Sequence, residues 1–313
     1  MSAATMPRPD AVHVRAPGKI NLRLRVGPVR RDGYHPLATV FQAVSLFEDV
    51  HARVADDISV SVSGRHAERV PTDERNLAHR AATLLADATG TSAGVHLHIT
   101  KEVPVAGGMG GGSADAAATL LACDQLWGTG LDREELGHLA AELGADVPFA
   151  LTGQTALGVG RGDMLTPALA RGRYHWALAV SETGLPTPEV FASLDASGTI
   201  PPNRRVSVPP SMMKALLTGE PSRLTRHLVN DLAEPAVHLR PHLTQVLAAF
   251  EGTDALATIV SGSGPTIAAL AADHTAAVAI AEQVRRSRVA DEVLVVHGPV
   301  PGARLTEQVR TDR

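Results

Sequence analysis

A single cysteine, Cys123, occurs in the 313-residue chain. That scarcity excludes a disulfide framework and any cysteine-built metal cluster, and it fits a reducing, cytoplasmic compartment. Aromatic side chains make up 3% of the sequence, too few for an extended base-stacking surface. No apolar run approaches the roughly 18 residues of a membrane-spanning helix. The stretch from Met1 to Asp10 holds Pro7, Arg8 and Pro9 but no apolar core, so it does not read as a secretory leader. An excess of positive charge is missing as well: 29 Lys+Arg stand against 33 Asp+Glu, a formal charge of −4. Neither nucleic acid nor a membrane is therefore expected as a partner. Lysine itself is scarce, with only Lys19, Lys101 and Lys214. Where arginine is the default base, a lysine can mark a need for its compact ammonium.

What is present is a globular composition, 44% hydrophobic and 20% charged. The length accommodates two domains, expected at residues 1–164 and 165–313. Val12 to Arg15 and Asn21 to Val26 read as strands separated by a Pro17-Gly18 break. Asp57 to Ser63 and Val95 to Ile99 alternate apolar and polar residues as half-buried strands do. Between them Asn76 is a candidate N-cap for a helix ending near Gly90. Helices are expected over Ala114 to Trp127 and Arg133 to Leu143. The second half reads as a strand over His175 to Val180, a proline-rich loop over Arg204 to Pro210, and helices around Ser211 to Leu217, Ser222 to Leu228 and His238 to Phe250. It ends with strands over Ala257 to Ser261, Thr266 to Leu270 and Glu292 to Val296, and a helix over Thr275 to Arg286. That order is α+β, with a ferredoxin-like split βαβ element at the C-terminal end.

The densest chemical signal is Val105-Ala106-Gly107-Gly108-Met109-Gly110-Gly111-Gly112-Ser113, between a strand and an alanine-rich helix. Glycines let backbone N–H groups converge, and the following helix adds its positive end, so polyphosphate is the natural ligand. No Gly-Lys-Ser/Thr closes the loop, and Ser113 stands where a dinucleotide fingerprint needs its third glycine. The competing reading is a flexible linker. Lys19, in Ala16-Pro17-Gly18-Lys19-Ile20-Asn21, and Lys101 could approach such phosphates, although an isolated lysine is ordinarily a solvated surface charge. Asp146, in Gly144-Ala145-Asp146-Val147-Pro148, reads as a helix cap or as a base for a substrate hydroxyl. Ser261-Gly262-Ser263-Gly264-Pro265-Thr266 reads as a tight hairpin turn or as a second backbone surface beside the phosphates. His96 and His98 fall on the polar face of a strand and read as solvent-facing. Cys123 reads as core packing.

These motifs, in this order, resemble the GHMP kinase superfamily. Its pattern of an N-terminal lysine motif, a central glycine loop ending in serine and a C-terminal glycine turn is met by Ala16 to Asn21, Pro104 to Ala117 and Ser261 to Thr266. Arg31-Asp32-Gly33-Tyr34-His35 and Leu143 to Phe149 are similar to the branch that phosphorylates a cytidine-diphosphate-linked alcohol in non-mevalonate isoprenoid biosynthesis. Gly18, Met109 and Pro36 depart from the usual residues there. The resemblance implies a two-domain fold, with an N-terminal domain like ribosomal protein S5, a ferredoxin-like C-terminal domain, and the active site in the cleft between them. It implies an ATP-dependent small-molecule kinase with ATP as donor and Mg²⁺ as cofactor. Asp146 would accept or orient the hydroxyl proton, with Lys19 as its partner and Asn21 fixing the pair. Pro104, Ala106, Gly107, Gly108, Met109, Gly110, Gly111, Gly112 and Ser113 would wrap the ATP phosphates, with Ser113 also a Mg²⁺ contact. Tyr34 and His35 would bind cytidine, and Phe191 would supply a second ring against the base. Other readings are a mevalonate- or homoserine-type acceptor, or an inactive sensor of ATP and a metabolite. No coiled coil or long apolar surface helix decides between monomer and homodimer.

Overall fold

A computed structural model describes residues 9–309; the N-terminal segment read for a leader lies, up to residue 8, outside the described residues. The first layer is built from strands β1 (Ala11–Val26), β2 (Leu37–Ala55), β3 (Ile58–Gly64) and β4 (Gly94–Lys101), with helix α1 (Leu77–Thr89) between the last two. Helices α2 (Gly111–Trp127), α3 (Arg133–Leu143) and α4 (Val147–Thr152) follow, then the hairpin β5 (Thr155–Gly160) and β6 (Met164–Pro167). The second layer opens with β7 (Tyr174–Val180), then helices α5 (Thr187–Ser197), α6 (Pro210–Thr218) and α7 (Pro221–Leu224), and the short strand β8 (Val229–Asn230) touches back onto the first layer. It continues through α8 (Ala233–Leu239), α9 (Leu243–Glu251), β9 (Ala257–Val260), β10 (Ile267–Ala271), α10 (His274–Ser287) and β11 (Glu292–Gly298), after which β12 (Arg304–Val309) returns to the first layer. The α+β expectation holds.

The larger sheet has the order β12-β1-β2-β4-β3, with β5 and β6 extending from β2 and β8 lying parallel to β1. The smaller, antiparallel sheet has the order β11-β7-β10-β9. Alternation in the strands dictates the first core: Val12, Val14, Val50, Ala52, Leu97 and Ile99 point to one face and pack on α1 and α2. Sequence capping signals set the helix ends. Asn76 accepts from the Ala78 N–H at 2.8 Å, and Asp132 opens α3 with a reciprocal capping box to Glu135.

Several expectations need correction. Pro17-Gly18 does not end a strand; β1 runs through it, and the register with β2 shifts between Pro17 and Lys19. There the Lys19 N–H leaves the ladder and donates to the Met109 carbonyl of the glycine loop at 2.9 Å. Helix α2 starts at Gly111, earlier than expected, so the last two loop glycines form its first turn. The helix expected over His238 to Phe250 is two, because Pro241 has no N–H to donate and biases Arg240 away from helical backbone. The one expected over Ser222 to Leu228 is the short α7 followed by a 3₁₀ turn at Thr225–His227. His96 and His98 are half-buried rather than solvent-facing. Their four ring nitrogens contact Ser59, Ser61 and Ser63 in a continuous chain at 2.9 Å per step. Cys123 is buried as core, and burial pushes its thiol far above the ordinary range.

Candidate active site

Strand β1 carries Lys19 and Asn21 into the space between the layers, where both are buried. The Lys19 ammonium donates to Asn21 Oδ1 at 2.8 Å and to the Gly108 carbonyl at 2.9 Å, and lies 3.5 Å from Asp146 Oδ2. Asn21 is oriented in turn by donating to Thr39 Oγ1 at 2.8 Å, and that hydroxyl donates to the Arg23 carbonyl. Asp146 occupies the N-cap position of α4 but makes no side-chain capping bond. Its carboxylate faces Lys19 and the cavity instead of the helix.

The C-terminal turn closes on the same point. Ser261 Oγ donates to the Gly108 carbonyl at 3.1 Å, and the Thr266 N–H donates to the Gly107 carbonyl at 3.4 Å. The stretch Ser261 to Thr266 is thus both a hairpin turn between β9 and β10 and a backbone surface against the glycine loop. Three motifs meet at Gly108, with Lys19 lying 89 residues before it and Ser261 153 residues after it.

The loop itself is shaped for an anion. Gly110 takes left-handed φ +74° as N-cap of α2 and offers no side chain to the first-turn amides. A Cβ on Gly112 would meet nothing within 4 Å, so the backbone there is open to a ligand. Free N–H groups at a helix N-terminus facing open space suit phosphate oxygens. Nearby Ala106 holds φ +55°, an uncommon backbone for a residue with a Cβ.

A cavity of about 450 Å³ brings the parts together. Of the expected site residues, Lys19, Asn21, Pro104, Ala106, Gly107, Gly108, Gly110 to Gly112, Ser113, Asp146 and Phe191 line it. Met109 turns away and is fully buried. His35 is buried behind the wall, with Nδ1 at 2.7 Å from the Gly27 carbonyl and its ring stacked on Phe191 at 5.2 Å between centroids. Those two rings contact each other directly. Tyr34 stands apart at 53% exposure, with the Arg161 guanidinium 5.2 Å from its ring centre. Thr39, Arg161 and Thr187 also line the cavity, and nothing in their local sequence singled them out.

Lys101 is not a surface charge. It is 2% exposed, with its ammonium 2.6 Å from both Glu48 Oε1 and Asp115 Oδ2, directly beneath the start of α2. Burial, reinforced by the Asp115 charge, pushes the Glu48 carboxyl up to about 8 despite the lysine. Burial also raises Asp115. Burial pulls Lys101 down, but Asp115 and Glu48 outweigh it and leave its pKa raised. Lys101 and Asp115 form part of the floor of a second cavity of about 260 Å³, which shares Leu77, Ala106 and Gly112 with the first. Glu48 sits within β2 and Asp115 within α2, and no short motif joins them to Lys101.

Comparison with known proteins agrees with this geometry. Residues 76–154 match the model for the GHMP kinases N terminal domain, and residues 212–290 the model for the GHMP kinases C terminal. A 4-diphosphocytidyl-2-C-methyl-D-erythritol kinase of Leifsonia xyli subsp. xyli is 55% identical, over 95% of this chain and 99% of the relative. One of the same description from Clavibacter michiganensis subsp. michiganensis is 53% identical, over 97% and 98%. A crystal structure of 4-(cytidine 5'-diphospho)-2C-methyl-D-erythritol kinase superposes with a TM-score of 0.74 at 32% identity, covering 91% of this chain and 98% of that one. A homoserine kinase from Cytophaga hutchinsonii, with a TM-score of 0.73 at 20% identity, shares the fold. With both family models matched in order, and relatives more than half identical along nearly the full length, this chain belongs to the GHMP kinases, a family of ATP-dependent small-molecule kinases.

Proposed function

We propose that the chain transfers the γ-phosphoryl group of ATP to the 2-hydroxyl of 4-diphosphocytidyl-2-C-methyl-D-erythritol, giving the 2-phosphate and ADP in non-mevalonate isoprenoid biosynthesis. The observation that carries the chemistry is the pairing of Lys19 with an uncapped Asp146, 3.5 Å apart, beside the open N-terminus of α2. The acceptor identity rests on the relatives that share more than half of this sequence. The reaction takes place in the cytoplasm, and the chain has two domains divided at residues 164/165, although β6 straddles that point and β8 and β12 of the second half join the first layer's sheet.

Phosphoryl transfer asks a protein mainly for positioning and charge stabilisation. The α2 amides and the loop hold the ATP phosphates, and the second cavity receives the nucleoside end because it adjoins the loop across Gly112. Asp146 orients the acceptor hydroxyl and takes its proton as the oxygen attacks. Lys19, fixed by Asn21 and the Gly108 carbonyl, offsets the negative charge gathered on the transferring group. Mg²⁺ fits the donor set: it binds few protein oxygens beside substrate phosphates, and Ser113, on the cavity wall, would hold it through its hydroxyl. When bound, the ion would supply positive charge to offset the negative charge of the phosphates. Tyr34 and Phe191 take the cytosine end, with His35 holding the Phe191 ring from behind.

The test is ADP release from Mg-ATP with the cytidine compound, beside mevalonate, homoserine and galactose. Turnover with the cytidine compound alone is expected. Turnover with another acceptor keeps the phosphate chemistry and overturns the substrate.

A further inference from the structure

The acceptor proposed above is a dianion at its centre: a diphosphate joins the cytidine to the alcohol that reacts. The cavity has to meet that charge somewhere between Asp146 and the aromatic residues. Among the described residues lining it, the cationic side chains are Lys19 and Arg161. Lys19 is already committed to Asn21, the Gly108 carbonyl and Asp146 at the reacting end. Arg161 is at the other end, in the turn between β5 and β6, where it both lines the cavity and covers a face of Tyr34.

The turn is built to present this side chain. The Arg161 N–H donates to Asp163 Oδ1 at 3.2 Å, and the Gly162 N–H donates to the Val159 carbonyl at 3.0 Å, so the backbone at Arg161 is fixed. The guanidinium meets Asp163 Oδ2 through Nε and Nη2, both at 3.3 Å. With Arg161 45% exposed, that pair is a weak surface contact. A guanidinium carries five N–H donors, so the fork keeps donors free for another ligand. The Tyr34 ring lies beneath it, with the guanidinium carbon 5.2 Å from the ring centre, within cation–π range. A planar fork on the wall of a cavity matches two oxygens of a phosphate group better than a lysine would.

We propose that Arg161 is a specificity-determining residue that binds the diphosphate of the acceptor, with the Tyr34 ring as its platform. This role rests on a cytidine-diphosphate acceptor. It assigns Tyr34 a double use, one face for the guanidinium and the other for the base. It also explains how a cavity whose reacting end is electrically balanced by Lys19 and Asp146 accepts a strongly anionic substrate.

The experiment is calorimetric binding of CDP and of cytidine to the wild-type protein and to Arg161→Gln, with ADP saturating so that the glycine loop is filled. The wild type is expected to prefer CDP, and Arg161→Gln to shrink that preference by about tenfold or more, the scale of one charge-assisted contact. Cytidine binding and ADP affinity are expected to stay unchanged, the latter showing that the variant is folded. Arg161→Lys, which keeps the charge and loses the fork, should recover part of the preference. Unchanged preference for CDP in Arg161→Gln overturns the proposal, as does an equal loss for cytidine and CDP, which would make Arg161 a base-stacking residue. Wild-type protein that binds neither ligand overturns the acceptor reading itself, and the role of Arg161 with it.

Discussion

Asp146 shows how much one side chain's orientation decides. An aspartate before Val147-Pro148 has every reason to cap α4, yet its backbone at φ −90° and ψ −10° turns the carboxylate out of capping position and toward Lys19. Asp146→Asn keeps the size and loses the basicity. It is expected to lower kcat by about two or more orders of magnitude, with ATP affinity and Tm unchanged; steady-state kinetics beside ATP titration check this. A near-normal kcat would remove Asp146 from the mechanism. The Glu48–Lys101–Asp115 cluster makes a different prediction. With its carboxyl pushed up to about 8, Glu48 binds a proton in the folded state that the unfolded chain releases near its ordinary range. The folded protein therefore binds more protons than the unfolded one between about pH 5 and 8, and stability falls as pH rises through that window. Glu48→Gln, which cannot ionise, should flatten this slope in urea unfolding measured from pH 5 to 8. The sequence could not announce the cluster. Lys101 reads as a surface charge because its partners, Glu48 and Asp115, lie on other elements and only the packing of β2, β4 and α2 brings them together.

The glycine loop separates two uses of glycine at the scale of an element. At Gly108, φ is +73°, and a Cβ would come within 2.1 Å of the Ser261 carbonyl oxygen. Gly108→Ala therefore has to push the loop off the C-terminal turn, and both Tm and ATP affinity should fall. Gly112 has neither constraint, so Gly112→Ala should leave Tm unchanged or slightly higher by helix propensity. Its methyl group still projects from the α2 N-terminus into the space given to phosphate, so the KM for ATP should rise. Thermal unfolding and ATP kinetics on the two variants check the pair, and equal effects would mean that the loop is not a phosphate cradle. Local rules made much of this architecture readable. Asn76 and Asp132 cap as their types dictate, and β4 alternates in register with its burial. Strand β2 escaped notice because Leu37 to Val44 is buried almost continuously and shows no period of two. Helix α5 escaped because two prolines crowd its start.

At the scale of the whole molecule, the two layers are not independent. One hydrophobic core joins Ile20, Leu22, Val40 and Val44 of the larger sheet to Trp176, Leu178, Met212 and Leu270 of the second layer. The buried Trp176 indole donates across it to Gln42 at 3.1 Å. After β11 the chain returns to the first layer, where Gly302 packs against the Leu151 backbone and β12 pairs antiparallel with β1. Pulling the layers apart would expose this core, strip an edge strand from the larger sheet and open the site at Gly108. Each of these carries a cost that neither half recovers alone, so the two proposed domains should unfold together. The chain has two tryptophans, Trp127 in the first core and Trp176 in the shared one. Trp127→Phe and Trp176→Phe leave one reporter each. In each variant, the fluorescence midpoint in urea should coincide with the far-ultraviolet circular dichroism midpoint, and ADP should raise both together by binding only the assembled site. A Trp127 transition displaced from the circular dichroism transition would show that the first layer survives without the second, and that the shared core is a contact between two self-sufficient domains.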